Sequence, residues 1–526
     1  MSDKRKVKEI IKKISKQRKR VASNLGKKIE KKEHLFSILI PIFAGLLFFV
    51  LSILTLTSSI WFDEAYSAYL VRGDFGQIWD MTSVDVHPPL FYFALKMWSS
   101  VFGTTDIAMR FMSIFFGLIA IVFIFQLVKR FFGIKAASLA TIFVSVSPML
   151  VRFGQEMRMY TMVLAIVMAA TYFLSLALDN AKDKKGRKYF VIYALLISLG
   201  MWTHYFSAFA WIAHVVAIII HFGGFKKLFK NKIVFKRLIF TYAFAIALYI
   251  PWIPSFFKQV VTVQSGFWIP PVSFESMADF ISSALFFNTA ENVVSWAWVF
   301  GIALIIVFVL SFVAVYKKSS AKNKSRIKYL SILASVPVIV MIIFSLPPLT
   351  SMFVERYVLY SIVTLWILFG IIAVLLKDGW LKTLLPILVI VVAIFGNVFV
   401  KTREPRGYIS EILAETFIAA DEGEPIVMNS IWNYYDGVFY SSDKHPVYLF
   451  EQDVNYEYGS QEPVRQYRVN VIENRDDFLK EHKDIWYVFD NEDKCGDYDV
   501  PEWAKDMRIT SEIAVDHHTA VKFTQD

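Results

Sequence analysis

Eleven apolar stretches punctuate this chain, each near the length needed to cross a bilayer, and they leave few folds open to it. A hydrocarbon core of ~30 Å takes roughly 20 residues of α-helix. The stretches run at about 35–56, 107–128, 136–150, 159–178, 189–203, 206–222, 239–257, 293–315, 329–347, 357–376 and 383–400, the third and fifth being short. Hydrophobic residues make up 56% of the 526, Phe alone contributes 49, and the mean hydropathy is +0.48. A soluble domain does not tolerate that composition. The expected fold is therefore a polytopic α-helical membrane protein of about 11 transmembrane helices.

Charge orients it. The loops 129–135, 179–188, 223–238, 316–328 and 377–382 carry 3, 5, 6, 6 and 2 Lys/Arg, whereas the loops between them hold few. Basic loops face the cytoplasm. Residues 1–33 add 14 Lys/Arg against four acids and belong to the same side. This basic tail lacks the apolar core and small-residue cleavage site of a secretory signal, so it is expected to be retained. It reads either as a solvated orientation signal or as a helix on anionic headgroups, with Val7, Ile10, Ile11 and Ile14 in one stripe. The expected location is the plasma membrane, multi-pass, with the N-terminus cytoplasmic.

After residue 400 the charge inverts to 13 Lys/Arg against 27 Asp/Glu. Three domains follow: a tail at 1–33, a membrane domain at 34–400 with its first outer loop at 57–106, and an extracytoplasmic soluble domain at 401–526. Strands are expected at Ile426 to Asn429, Val447 to Phe450, Ile485 to Asp490, Ile509 to Val515 and Ala520 to Thr524, with helices at 430–441 and 475–482. That pattern predicts an α/β domain with a three-strand parallel core and a terminal hairpin. Cys495 is the only cysteine, so this domain folds without an internal disulfide and without a cysteine-built metal site.

Chemistry concentrates at the outer ends of the helices. The first outer loop reads Trp61-Phe62-Asp63-Glu64, then Asp85-Val86-His87-Pro88-Pro89-Leu90. Desolvating a carboxylate at the mouth of a bundle is costly, which suggests chemistry or ion handling. On a helix, adjacent Asp63 and Glu64 point about 100° apart, so only one of them is expected to act on a substrate; a helix cap beside a solvated acid is the plain structural alternative. Asp74 and Gln77 have capping-box spacing and predict a short helix, and Leu90 onward a second. Trp61, Tyr66, Tyr69, Trp79, Tyr92 and Trp98 fit an interfacial aromatic belt better than sugar-stacking platforms.

Arg110 falls a turn inside the second span and needs an anion. Asp63 or Glu64 supplies a structural partner, or a lipid phosphate shares the site through the guanidinium fork. Arg152, Glu156, Arg158 and Tyr160 lie between the third and fourth spans, His204-Tyr205 follows the fifth, and Glu355-Arg356 precedes the tenth. Each alone could be a solvated turn; together they outline an anionic-headgroup site lined by acids. The outer loop 258–292, with Gln264, Phe267, Trp268, Glu275, Asp279 and Asn288, has the length of a lid.

Taken in order over residues 57–205, Trp61-x-Asp63-Glu64, Asp85-x-His87-Pro88-Pro89-Leu90, Met109-Arg110, Gln155-Glu156-x-Arg158-Met159-Tyr160 and Thr203-His204-Tyr205 resemble the membrane glycosyltransferases that use polyprenyl-phosphate sugars. These are the protein O-mannosyltransferases and the aminoarabinose transferases acting on lipid A, and the short 258–292 loop makes the bacterial architecture the better match. The basic tail is not part of that pattern.

The resemblance implies a GT-C fold and transfer of a sugar from a polyprenyl-phosphate donor to an acceptor hydroxyl, with inversion. It casts Asp63 as base and Glu64 as the orienter of Arg110, with Arg110, Arg158, His87 and Arg356 as phosphate ligands. Asp85, Glu156, Tyr160, His204 and Tyr205 complete the expected substrate-binding set. A phosphate leaving group is already a stable anion and needs cations rather than a protonating acid. The acceptor is a protein, a lipid or a cell-wall glycan; membrane lipids are partners and nucleic acid is not. A divalent cation is an open possibility, since Asp63, Asp85 and His87 are ligand types without a fixed metal motif. The alternative from another class is a transporter or flippase of lipid-linked substrates, which would place ionisable groups mid-span and repeat its hydropathy pattern.

Overall fold

The computed structural model describes residues 33–54, 56–264, 267–288, 292–402, 409–453, 469–490 and 498–525. The basic tail to residue 32 and Cys495 lie outside them. The membrane domain contains α1 (Glu33–Ile53), α2 (Phe62–Leu70), α3 (Phe75–Val84), α4 (Leu90–Phe102), α5 (Asp106–Phe132), α6 (Ile134–Ser145), α7 (Pro148–Gly154), α8 (Tyr160–Asp179), α9 (Lys184–Thr203), α10 (Ser207–His221), α11 (Phe225–Lys230), α12 (Lys232–Tyr249), α13 (Ile253–Gln264), α14 (Phe274–Phe286), α15 (Ser295–Lys318), α16 (Ala321–Phe344), α17 (Leu359–Leu375) and α18 (Trp380–Thr402).

Every apolar stretch expected to be a span is helical, but not every one has the length and composition of a crossing helix. Among the described residues eight do so, or up to nine if the bent pair α6–α7 counts as one. That pair turns by 60° where Pro148, at the first position of α7, cannot continue the hydrogen-bond ladder of α6. The other two differ for separate reasons: α9 starts on Lys184, Lys185, Arg187 and Lys188, and α10 has only 15 residues. Apolar length alone registers neither a kink nor a charged first turn.

Two ends of the bundle are chemically distinct. At one, Lys129 donates to Ser37 Oγ at 2.7 Å, Arg130 meets Asp179 at 2.5 Å, and Arg237 donates to the Asp183 carbonyl at 3.2 Å. At the other, α2, α3 and α4 form the segment that joins the first two long apolar helices, α1 and α5. The expected capping box is present: Gln77 N–H donates to Asp74 Oδ1 at 2.9 Å, and Asp74 N–H to Gln77 Oε1 at 2.8 Å. Phe48 of α1 locks this end to α5 and α7, occupying space that only glycine leaves; a Cβ on Gly117 or Gly154 would lie 2.5 or 2.6 Å from its Cζ.

Beyond α19 (Ile409–Ala419), the C-terminal domain folds as β1 (Ile426–Met428), α20 (Ile431–Tyr440), β2 (Val447–Phe450), β3 (Val471–Ile472), α21 (Arg475–Glu481), β4 (Asp484–Asp490), β5 (Arg508–Val515) and β6 (His518–Thr524). The sheet order is β3-β2-β1-β4-β6-β5, with parallel pairing through β4 and an antiparallel β5–β6 hairpin at the edge. The parallel core thus has four strands rather than the expected three, because the two-residue β3 is too short to leave a periodic signal. Ile485 to Phe489 form an unbroken buried run, as a sheet covered on both faces requires. Trp486 and Val488 join the core that continues into the membrane domain, while Ile485, Tyr487 and Phe489 pack with Val427, Phe450 and Phe523 on the other face.

The two domains meet where α20 lies on α2. Trp432 packs edge-on to Phe62 at 4.3 Å between ring centroids, and Tyr435 meets Tyr69 at 4.9 Å and Tyr66 at 5.4 Å. Polar contacts fix the angle: Arg72 donates to the Val438 carbonyl at 2.7 Å, and Ile60 N–H to the Tyr440 hydroxyl at 2.9 Å.

Candidate active site

Helix α2 begins at Phe62, so Asp63 and Glu64 occupy its first turn, where the exposed N–H groups favour negative charge. The rotation between successive residues then separates them. Glu64 turns into the protein and is fully buried, whereas Asp63 remains about one-fifth exposed.

Glu64 is held by Arg110 of α5 through two parallel bonds, Nε to Oε1 at 2.8 Å and Nη2 to Oε2 at 2.7 Å. The remaining guanidinium donors go to the carbonyls of Leu56 (2.6 Å), Ser58 (2.7 Å) and Ser59 (3.1 Å). All five N–H groups of Arg110 are thereby used inside the protein. Met157 N–H also donates to Glu64 Oε1, at 2.9 Å. The pair ties the end of α1, the start of α2, the top of α5 and the α7–α8 turn into one block. Arg110, expected as the leading phosphate ligand, instead lies behind the cavity wall, because burial obliges every one of its donors to find a protein acceptor.

Asp63 faces a cavity of about 360 Å³. Its Oδ2 lies 3.8 Å from Arg158 Nε and 4.0 Å from Arg356 Nη1. Arg158 is fixed by bonds to the Asp63 carbonyl (3.2 Å) and Ser67 Oγ (3.1 Å), and its Nη2 is 3.4 Å from His87 Nε2. On the other ring nitrogen, His87 is 3.5 Å from Asp85. Arg356 is ringed by aromatic faces, with Cζ 5.2 Å from the Trp268 centroid and 5.9 Å from that of Trp61. Of the expected residues, Asp63, Asp85, His87, Arg158 and Arg356 line this one cavity.

The others do not. Glu156 is buried behind it, paired with Arg152 at 3.0 Å. Burial raises its pKa to about 7, with Glu64 and Asp63 adding to the shift while Arg152 and Arg356 oppose it. His204 is buried between Tyr160 and Tyr357, at 6.0 and 5.3 Å between centroids; desolvation, then the neighbouring His87, Arg158 and Arg356, hold its pKa well below the usual value and keep it neutral. Tyr160 packs in this same buried layer. Tyr205 stands apart: its hydroxyl bonds Gln259 Oε1 and accepts from Trp252 Nε1 at 2.8 Å, while Gln259 Nε2 donates to the Thr82 carbonyl at 2.6 Å, so it fastens α13 to α3.

Sequence reasoning missed the aromatic walls. Trp61 and Tyr66, expected in an interfacial belt, line the cavity with Phe267, Trp268 and Trp432. Trp432 comes from the C-terminal sheet domain, in whose sequence no chemistry-bearing motif is legible. The paired Phe267-Trp268 in the long segment 258–292 is the local signal for an aromatic cover. Among the described residues no group of three or more His, Cys, Asp or Glu is placed to hold a metal ion. Chemically, the cavity offers one partly exposed carboxylate beside two guanidinium groups and an imidazole, walled by rings. Such a site can hold an anionic ester and take a proton from a nucleophile placed alongside.

The family described as dolichyl-phosphate-mannose-protein mannosyltransferase matches residues 86–254, a stretch that includes His87, Arg110, Glu156, Arg158, Tyr160, His204 and Tyr205 but not Asp63. No curated protein matches the chain. Among solved structures, ArnT from Cupriavidus metallidurans in the apo state superposes with a TM-score of 0.62 at 11% identity, over 92% of this chain and 97% of that one. The same protein bound to undecaprenyl phosphate gives 0.60 at 12%, with the same coverage. The Archaeoglobus fulgidus oligosaccharyltransferase tethered with an acceptor peptide gives 0.53 at 12%, over 86% of this chain and 69% of that one.

Proposed function

We propose that this chain, GT-C in fold and of the protein O-mannosyltransferase and aminoarabinose transferase type, moves a sugar from a polyprenyl-phosphate donor to an acceptor hydroxyl at the outer membrane face. The observation that carries this reading is the placement of the Asp63 carboxylate 3.8 and 4.0 Å from Arg158 and Arg356 in a single aromatic-walled cavity. Arg158 and Arg356 hold the donor phosphate, with His87 beside them. Asp63 takes the proton of the acceptor hydroxyl as its oxygen attacks the anomeric carbon. The C–O bond to phosphate breaks on the opposite face, inverting that carbon, and polyprenyl phosphate leaves as an anion that the two guanidinium groups stabilise. Glu64 and Arg110 position α2 rather than touch the donor.

The binding of undecaprenyl phosphate to a protein of like fold supports the donor class. The gathering of the buried carboxylates and arginines Glu64, Arg110, Glu156, Arg158 and Arg356 around Asp63 at helix ends supports transfer over transport. In this reading the Asp63 end and the soluble domain are extracytoplasmic, and the basic loops and N-terminus cytoplasmic.

The test is incubation of the purified protein with radiolabelled polyprenyl-phosphate sugars and a mixed extract of envelope acceptors, comparing wild type with Asp63→Asn. Label should move to an acceptor in the wild type and stay on the donor in the variant. Transfer that survives in Asp63→Asn removes the base; no transfer from any donor, with lipid-linked sugar crossing vesicles instead, establishes the transporter.

A further inference from the structure

A second cavity, of about 750 Å³, lies between α9 and α12 and has no part in the chemistry above. It opens near Arg187, seventeen residues before His204 on the same helical run, and so about 25 Å along the axis from the Asp63 site. This is the end of the bundle that carries the basic loops.

The lining is graded. Arg187 at the start of α9, with Lys236 and Arg237 near the start of α12, sets three cations around the mouth. Among the described residues no carboxylate lies within ion-pairing distance of any of them; Asp183 meets Arg237 through its backbone carbonyl. Deeper in, the wall is apolar and turned outward: Val191, Phe240 and Phe244 are 44%, 63% and 42% exposed. Lys236, Phe240 and Phe244 follow one another at four-residue spacing, so the groove runs along one helix face for about 12 Å below the charges. The short α11 packs on α12 through Phe225 and Phe229, 6.1 and 5.0 Å from Phe235 between ring centroids, and both are exposed next to Lys226, Lys227 and Lys230, the composition of an interfacial helix.

We infer that this groove binds one anionic phospholipid of the bilayer, its phosphate at Arg187, Lys236 and Arg237 and an acyl chain along Val191, Phe240 and Phe244. Three cations beside an apolar channel match an amphiphile whose charge sits at one end, and a free phosphate would leave the channel unused. The chain's own tail does not fit, since residues 1–33 carry 14 Lys/Arg against four acids and would bring like charge to the mouth. Nor is this a donor site, because the bound phosphate would stand about 25 Å from Asp63 along the helix axis.

The experiment is native mass spectrometry of the full chain extracted from vesicles of equal phosphatidylglycerol and phosphatidylcholine. Wild type should retain one phosphatidylglycerol and no phosphatidylcholine. Arg187→Gln/Lys236→Gln, at two exposed positions, should retain it about tenfold less well. Val191→Trp, which fills the channel without altering charge, should do the same, and Lys322→Gln/Lys324→Gln in the first turn of α16 should not. Undiminished retention in either groove variant overturns the site. So does equal retention of phosphatidylcholine, displacement by inorganic phosphate, or preferential retention of polyprenyl phosphate.

Discussion

Arg110 grips Glu64 with two parallel hydrogen bonds of 2.8 and 2.7 Å, and neither side chain is exposed. Removing one charge from such a pair leaves the other buried without compensation, at a cost of roughly 3–5 kcal/mol. Glu64→Gln should therefore lower the melting temperature in detergent by on the order of 5 °C. A melting temperature equal to that of the wild type would show that the pair does not hold the block together.

Asp63→Asn has the opposite profile. Asp63 sits on the cavity side of α2, partly exposed and 3.8 and 4.0 Å from its arginines rather than bonded to them, so its loss should lower the melting temperature less than Glu64→Gln does. Turnover should fall by roughly 10²–10⁴-fold, the usual contribution of a positioned base. Donor affinity measured by equilibrium binding should change far less than turnover.

Arg356 reaches the cavity between Trp268 and Trp61, and a lysine there keeps the charge but loses the planar fork and the stacking. Arg356→Lys is expected to raise the donor KM roughly tenfold while changing the acceptor KM little. Steady-state kinetics with each substrate varied in turn separates the two.

Glu156 gives the site a pH dependence. Its folded pKa is raised from the ordinary carboxylate value to about 7, so between those values the proton stays on in the folded protein and comes off in the unfolded chain. Its contribution to stability is therefore fullest at acid pH and is lost as pH rises toward 7. For binding, the protonated form leaves the cluster one unit more positive, which favours an anionic donor. Donor KM should be lower at pH 6 than at pH 8, and Glu156→Gln should flatten that difference; an unchanged slope in the variant would assign the dependence to another group.

Trp432 tests the contribution of the C-terminal sheet domain. It lines the cavity from α20 and packs on Phe62, next to Asp63. Trp432→Ala should raise the acceptor KM several-fold while donor binding holds, since a single aromatic wall accounts for about 0.5–1.5 kcal/mol beyond its buried area. Loss of donor binding instead would place the ring on the donor side.

Much of this arrangement was legible locally. The helices of the bundle, the Asp74 capping box, five of the six strands and the roughly 100° divergence of Asp63 from Glu64 follow from periodicity and backbone geometry within a few residues. The kink at Pro148 was written in the sequence too, but its effect depends on α6 and α7 packing against different neighbours. The two-residue β3 was invisible because its pairing with β2 is set by the sheet rather than by its own residues.

The sequence by itself determined a membrane bundle with acids and arginines at one end, basic loops at the other, and an acidic α/β domain attached, because hydropathy and charge act on each segment separately. Tertiary structure alone decided which acid faces the cavity, since Glu64 is turned inward by an arginine 46 positions away. It also withdrew Arg110 from the cavity by satisfying all five of its donors. And it brought Arg356 and Trp432, nearly three hundred and more residues from Asp63, to the same wall. Those choices depend on which buried polar groups can be paired at once, a condition on the whole packed structure that no local pattern encodes.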